Sequence, residues 1–171
     1  MRKQSFEEVG KTSMEFVDSS PKERALMLDD TSWSRDMNWE LIREISSYMS
    51  TYKISAGGTL FHEHAPEAYL CVIVEGKVNI MKEDSKKTKK VIHSIGKGKV
   101  LGELSLLDGF SRSATVVAAK DTVVLIFTQN RLSEVMDDAP KSASQFILNI
   151  ARDLSRRLRK TSGMLVDIMN E

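Results

Sequence analysis

The sequence predicts an α+β fold in which helices flank an antiparallel β-sandwich or barrel. Its pattern is helical from Pro21 to Ser50, β-rich between Thr51 and Thr128, and helical again after Asn130. Short β-branched runs that are separated by turn residues at this spacing are typical of an antiparallel sandwich or barrel. Helices, then strands, then helices indicate the α+β class.

Length and composition narrow the class of protein. The chain has 171 residues, is 41% hydrophobic and 29% charged, and carries a formal net charge of +1. This charge gives no global field for nucleic acid or an anionic membrane. The longest apolar run, Tyr69 to Val74, is far shorter than the ~20 residues of a membrane-spanning helix. The N-terminus lacks the apolar core of a secretory signal, so we expect a soluble, cytoplasmic protein without a membrane partner.

The first two segments differ in their helical character. Residues 1–20 are polar with sparse apolar positions, and we expect a weak helix or a mobile N-terminal arm there. The next segment, from Pro21 to Ser50, has a helical pattern, and Asp36 or Asn38 is a candidate cap for the amphipathic helix that follows these residues. Its apolar positions recur at spacings of three and four residues, at Trp39, Ile42, Ile45 and Met49.

The central segment consists of short strands punctuated by glycines. The predicted strands are Tyr52 to Ile54, Thr59 to Phe61, Leu70 to Val74, Lys77 to Met81, Val91 to Ser94, Thr115 to Ala119 and Thr122 to Phe127. The stretch from Glu83 to Lys90 predicts a solvated hairpin tip. Its lysines are also a weak candidate contact for a phosphate polymer.

The C-terminal segment predicts a short helix and then a long one. Asn130 is a candidate N-cap for a helix to Met136, and Pro140 lies in the first turn of the long helix. Heptad spacing along that helix is typical of a coiled-coil seam, at Ile147, Ala151, Leu154, Leu158, Thr161, Leu165 and Ile168. The stripe either packs on the barrel or joins two chains. We favour a homodimer because its arginine- and lysine-rich flank is typical of a solvated surface.

Residues 101–116 contain the candidate ligand-binding residues. Gly102 turns the chain out of a strand, and residues 103–108 predict a short helix that Gly109 ends. The N-terminus of a short helix offers free N–H groups to an anion, and the planar fork of Arg112 suits a phosphate. Glu103 beside such a site is an acceptor for a sugar hydroxyl. Together they describe a ligand with a phosphate and a ribose, although a plain Glu103–Arg112 salt bridge is the simpler alternative.

This segment closely resembles the phosphate-binding cassette of cyclic-nucleotide-binding domains. The residues that match are Gly102, Glu103, Leu104, Leu106, Arg112, Ala114 and Thr115. The resemblance implies that Glu103 holds the ribose 2′-hydroxyl, that Arg112 neutralises the cyclic phosphate and that Ser113 supports it. It also implies that Gly102, Leu104 and Ser105 contact the ligand.

The resemblance covers roughly residues 40 to 165. It includes Ala56 to Phe61, Val74 to Val78 and Ile95 to Gly98, and it departs from the family at the loop from Glu63 to Tyr69. It implies a double-stranded β-helix, or jelly roll, with N-terminal helices, a short cassette helix and a long C-terminal helix. The implied division is a polar arm at 1–20, the binding domain at 21–138, and a helix for dimerisation or closure at 139–171.

The C-terminal helix is similar to the dimer helix of the bacterial cyclic AMP receptor (catabolite activator) branch of this family. That similarity implies that Thr161 and Ser162 reach the base, Ser162 from the opposite subunit, and that Arg157 lies near the base and Glu103. We therefore expect a regulatory domain that binds cyclic AMP and switches the position of this helix. Because of Ser113, cyclic GMP remains an alternative ligand. No cofactor is expected.

Two other functions were weighed against this one. His62, His64 and Glu67 resemble the metal motif of cupins, but their spacing differs and His93 lacks the second cupin signature. Surface histidines are the simpler interpretation. The same fold can also sense another small effector, although one cysteine excludes an iron–sulfur cluster.

We expect no enzyme activity, because the sequence shows no catalytic constellation. No segment has the glycine-turned helix pair of a helix-turn-helix, and the chain stops about where one would begin. We therefore expect no DNA binding from this chain. The downstream protein partner is not indicated by the sequence.

Overall fold

The computed structural model describes residues 13–85 and 88–169. It has nine strands within these ranges, β1 to β9, at Met14–Val17, Ser50–Ile54, Thr59–Phe61, Tyr69–Glu75, Lys77–Glu83, Lys89–Gly96, Val100–Leu101, Thr115–Ala118 and Thr122–Thr128. The helices, α1 to α5, are Pro21–Asp29, Trp39–Ser47, Glu103–Asp108, Gln129–Asp138 and Pro140–Met169. A 3₁₀ turn at Ser34–Asp36 separates the first two helices.

The strands form two antiparallel sheets, as the sequence predicts. One has the order β1-β2-β9-β4-β7 and the other β3-β8-β5-β6. Apolar side chains of both sheets meet in one buried cluster that includes Leu60, Ile73 and Val116. The α+β fold with a jelly-roll core is therefore confirmed.

A second core lies between the five-stranded sheet and the helices. Leu70 and Phe127 of the sheet pack in one cluster with Ile45 of α2 and Phe146 of α5. The rings of Phe127 and Phe146 lie 4.8 Å apart between centroids. This cluster fixes the first half of α5 to the barrel, which determines where the rest of that helix passes.

Local signals explain most helix starts. Ser20 and Glu23 form a capping box on α1, and the Asn38 side chain accepts a hydrogen bond from Leu41 N at 2.8 Å, as expected for the N-cap of α2. Pro140 begins α5 as predicted. The cap of α4 is Thr128, which accepts from Arg131 N, so the prediction of Asn130 is wrong.

The N-terminal segment is the main correction to the fold. Met14–Val17 forms β1 and pairs with β2, in place of the expected arm. Phe16 packs edge-on against Tyr52 of β2, with ring centroids 5.8 Å apart, and this contact cannot be inferred from a segment with so few apolar residues. The expected arm over residues 1–12 lies outside the described residues. Sequence reasoning also missed β7, which has only two residues.

Candidate functional site

A left-handed glycine begins the cassette. Gly102 has φ +77°, and a Cβ there would lie 2.5 Å from Arg112 Nη1 and 2.6 Å from the carbonyl oxygen of Tyr69. Only glycine fits both this conformation and this close approach. Helix α3 follows at Glu103 and ends at Gly109, which has φ +71°. The predicted turn and short helix are both present.

Arg112 is a buried cation at the centre of the site. Its side chain is 1% exposed, and its guanidinium carbon lies 4.1 Å from the ring centroid of Phe61 and 4.2 Å from that of Tyr69. Nη1 donates to the carbonyls of Tyr69 at 2.8 Å and Gly102 at 3.1 Å. Nε and Nη2 have no hydrogen-bond partner among the described residues. A buried guanidinium with two unpaired donors is costly unless an anion completes it.

The loop between β3 and β4 holds the backbone of Arg112. His64 N donates to Arg112 O at 2.8 Å, and Arg112 N donates to Ala65 O at 2.9 Å. His64 itself has φ +67°. The segment where the sequence departs from the family therefore positions the cassette arginine through its backbone, which tolerates different side chains.

Glu103 is the second buried charge. It is 4% exposed, and its Oε1 lies 2.8 Å from Nη2 of Arg157 on α5. Arg157 Nε also contacts Asp153 at 3.0 Å. Burial raises the pKa of the Glu103 carboxyl above its ordinary value, and the Arg157 guanidinium opposes that rise. Oε2 has no hydrogen-bond partner among the described residues.

The plain salt bridge between Glu103 and Arg112 is not formed. Within the described residues, Glu103 pairs with Arg157, and Arg112 bonds to two backbone carbonyls. Among the described residues Glu103 keeps one unpaired polar atom, Oε2, and Arg112 keeps two, Nε and Nη2. The two groups therefore remain available to a ligand that carries both an anion and a hydroxyl.

A cavity of about 680 Å³ connects these groups. Its volume lies within the range of small-molecule sites. It brings together all the site residues expected from the sequence except Ser162, namely Gly102, Glu103, Leu104, Ser105, Arg112, Ser113, Arg157 and Thr161. Ser162 is exposed on α5 and does not line the cavity.

Sequence reasoning missed several residues of this cavity. Strands β5 and β6 contribute Ile80, His93 and Ile95, and α5 contributes Asp153 and Arg156 beside Arg157. Phe61 and Tyr69 hold the guanidinium of Arg112. Alternation along β6 signals that His93 and Ile95 share a face, but only the packed sheet shows that this face is the cavity wall.

The two halves of α5 have different environments. Ile147 and Leu154 pack against the core that includes Phe146. Further along, Leu158, Leu165 and Ile168 of the heptad stripe are exposed. The first half of the stripe thus packs on the barrel, and the second half is an uncovered apolar seam.

The other candidate sites have less support. His62 and His64 are exposed, and no group of three or more His, Cys, Asp or Glu within the described ranges has the arrangement of a metal site. Burial raises the pKa of the Cys71 thiol to about 12, so this thiol stays protonated. No helix within residues 13–85 and 88–169 has the length and hydropathy of a membrane-spanning segment.

Fold and site together define a ligand-binding domain built on a jelly roll, with a buried arginine and carboxylate on one cavity. The profile of the cyclic nucleotide-binding domain matches residues 52–139, more than half of the chain. The protein therefore belongs to the cyclic nucleotide-binding domain family.

Individual relatives agree with this classification. The chain is 25% identical over 128 residues to a CRP-like cAMP-activated global transcriptional regulator of Mycobacterium tuberculosis, covering 75% of this chain and 55% of that protein. It is 29% identical over 114 residues to the cyclic AMP receptor protein of Thermus thermophilus, covering 67% and 51%. The chain thus spans about half the length of these curated relatives.

A solved structure shows the same fold. The cyclic nucleotide-binding domain from Methylobacillus flagellatus superposes with a TM-score of 0.75 at 26% identity, covering 86% of this chain and 85% of that one. The expected resemblance to the cyclic AMP receptor branch is also confirmed by the relatives. The chain is a cyclic nucleotide-binding regulatory domain.

Proposed function

We propose that this domain binds cyclic AMP in the cavity between the cassette and α5. The observation that carries the proposal is Arg112, which is buried with Nε and Nη2 unpartnered among the described residues. A cyclic phosphate has one negative charge and two exocyclic oxygens, which match a two-donor fork. Ser113 and the start of α3, at Gly102, Leu104 and Ser105, complete this end of the cavity.

Glu103 would hold the ribose. A 2′-hydroxyl donates to a carboxylate, and the unpartnered Oε2 of Glu103 is a buried acceptor beside the phosphate position. The ion pair with Arg157 opposes the rise in the pKa of the Glu103 carboxyl that burial causes. One short segment of chain would thus recognise both halves of the sugar phosphate.

The base would lie against α5. Thr161 lines the cavity with Arg157, and its hydroxyl can donate to or accept from a purine edge. Ser162 does not line the cavity of its own chain, which fits a contact to the nucleotide of a partner subunit. The matched relatives are named for cyclic AMP, which supports adenine over guanine.

A homodimer through α5 would cover the exposed half of its heptad stripe. Leu158, Leu165 and Ile168 are exposed at heptad spacing, as in a two-stranded coiled coil. Pairing would also bring Ser162 of one chain toward the other chain's cavity. The dimer and the base contact are therefore parts of one arrangement.

The ligand would act by shifting the position of α5. The Arg157–Glu103 ion pair already joins this helix to the cassette. A ligand that contacts both Glu103 and Thr161 favours the docked position of α5 to the extent that it binds this position more tightly than the undocked one. We infer a cytoplasmic signalling role without enzyme activity, in which α5 presents a different surface to a downstream protein when ligand is bound.

Calorimetric titration with cyclic AMP, cyclic GMP and 5′-AMP tests the proposal. We expect saturable binding that is tighter for cyclic AMP, and weaker binding of 5′-AMP, whose phosphate carries a second charge and is not closed onto the ribose. Absence of heat and of thermal stabilisation with both cyclic nucleotides would exclude this function and leave another small effector. Sedimentation of the chain and of Leu165→Lys tests the dimer separately.

A further inference from the structure

The four-stranded sheet has a long open edge at β6. Strand β6 is the last strand of the order β3-β8-β5-β6 and pairs with β5 alone in the described part of the chain. It has eight residues, Lys89–Gly96. On both sides of a β-bulge at Ile92, the strand presents alternating N–H and C=O groups along its free side, which are a template for another strand.

The side chains of β6 add apolar contacts to this edge. Val91 is 53% exposed and Ile92 is 59% exposed. The register with β5 shifts from Ile80 opposite His93 to Met81 opposite Val91, so Ile92 is the extra residue of a β-bulge. Val91 and Ile92 are therefore two neighbouring exposed β-branched side chains at this bulge. A strand added beside β6 would cover both.

Charge is concentrated on the same hairpin. Residues 77–96 hold six lysines and two carboxylates, a net charge of +4, whereas the whole chain carries +1. Lys82 of β5 lies opposite Lys90 of β6 in the register, and Lys90 also forms an ion pair with Asp84 at 3.0 Å. Lys89 is exposed and lies opposite Glu83, so the lysines still outnumber the carboxylates here. This edge therefore repels a second copy of itself and attracts an acidic strand.

We propose that the β6 edge binds an extended acidic segment of a partner protein by strand addition. Backbone hydrogen bonds would supply affinity, and Val91, Ile92 and the lysines would select alternating apolar and acidic side chains. Nucleic acid fits less well, because residues 77–96 contain no Phe, Tyr or Trp on which bases can stack. The side chains proposed to select the peptide, Lys82, Lys89, Val91 and Ile92, do not line the nucleotide cavity, whereas His93 and Ile95 of the same strand do.

Hydrogen exchange with a synthetic peptide tests this proposal. The probe is an eight-residue peptide of alternating glutamate and valine, added to the full chain up to about 1 mM. We expect slowed exchange of amides within residues 89–96. The same peptide with every backbone amide N-methylated, and a lysine–valine peptide, should give no protection. The first has no N–H on either edge with which to pair, and the second has the wrong charge.

Charge reversal locates the binding surface. The double variant Lys82→Glu, Lys89→Glu should weaken the acidic peptide by about tenfold or more. Its matched control, Lys22→Glu with Lys141→Glu, changes exposed lysines on α1 and α5 and should retain the affinity. No protection of residues 89–96 by the acidic peptide overturns the proposal. Equal binding of the N-methylated peptide, or tighter binding of a single-stranded oligonucleotide, also overturns it.

Discussion

Replacing Arg112 by alanine tests the centre of the proposed site. The two donors of this side chain that lack a partner within the described residues are Nε and Nη2. A hydrogen bond to a charged acceptor contributes about 1.5–3 kcal/mol net, so two such bonds to a cyclic phosphate are worth about 3–6 kcal/mol. We therefore expect Arg112→Ala to weaken cyclic AMP by roughly 100- to 10,000-fold.

The assay is calorimetric titration, with thermal unfolding as the measure of folding. The matched control is Arg152→Ala, because Arg152 is exposed on α5 and does not line the cavity. It should bind cyclic AMP within about twofold of the unaltered chain. This pair of arginines separates a local contact from the loss of one positive charge.

Arg112→Lys is the second variant, and it keeps the charge. Nη1 of the arginine already donates to the carbonyls of Tyr69 and Gly102, and a lysine ammonium cannot serve these carbonyls and both phosphate oxygens. We expect a loss smaller than that of Arg112→Ala. A loss below about threefold for Arg112→Ala would refute the reasoning, since a buried two-donor contact cannot be worth so little.

Four further predictions concern the neighbouring residues Glu103, Arg157 and Gly102. Glu103→Gln should weaken cyclic AMP about tenfold or more. Burial raises the pKa of Glu103 in the folded chain, so the folded state binds this proton to a higher pH than the unfolded state. The free energy of unfolding of the unaltered chain should therefore fall, relative to that of Glu103→Gln, as pH rises from about 4 to about 7. Denaturant titrations at several pH values measure this difference. The opposite slope would contradict the burial argument. Arg157→Gln removes the cation that lowers the pKa of Glu103. NMR titration of the Glu103 carboxyl should therefore give a higher pKa in this variant, and an unchanged pKa would refute the role of the ion pair. Gly102→Ala introduces a Cβ 2.5 Å from Arg112 Nη1 at a left-handed position, and chemical denaturation should show a loss of about 1–3 kcal/mol. Gly163→Ala on α5, where a Cβ meets nothing within 4 Å, is the matched control and should not destabilise the chain.

The predicted strands agree with the structure because their signals are local. Runs such as Thr59–Phe61 and Lys77–Glu83 combine β-branched residues with flanking turn residues, and such runs have few other stable arrangements. Strand β1 was missed for the opposite reason. Met14–Val17 is a strand only because β2 offers it an edge, and no local pattern records that edge.

One helix cap follows from a local signal and another depends on the sheet. Asn38 caps α2 through its own side chain, three residues before the amide that it binds. Thr128 caps α4 instead of Asn130 because β9 extends to Thr128 before the chain turns. The point at which a strand ends depends on its neighbours in the sheet, which the sequence does not display.

The sequence by itself determined the class of ligand site, because the cassette is short and contiguous. Gly102, Glu103 and Arg112 lie within one turn, one short helix and the segment that follows it, so their spacing limits where they can lie. Sequence also determined that α5 begins at Pro140 and continues as one long amphipathic helix.

Only the tertiary structure decided what surrounds these residues. Packing places Arg112 between Phe61 and Tyr69, and it brings Arg157 to Glu103 across a large separation in sequence. Both contacts depend on the strand register and on how Phe146 fixes α5 against the sheet. Burial, which decides the pKa of Glu103 and the cost of an unpaired guanidinium, is a property of that packing and not of the residues alone.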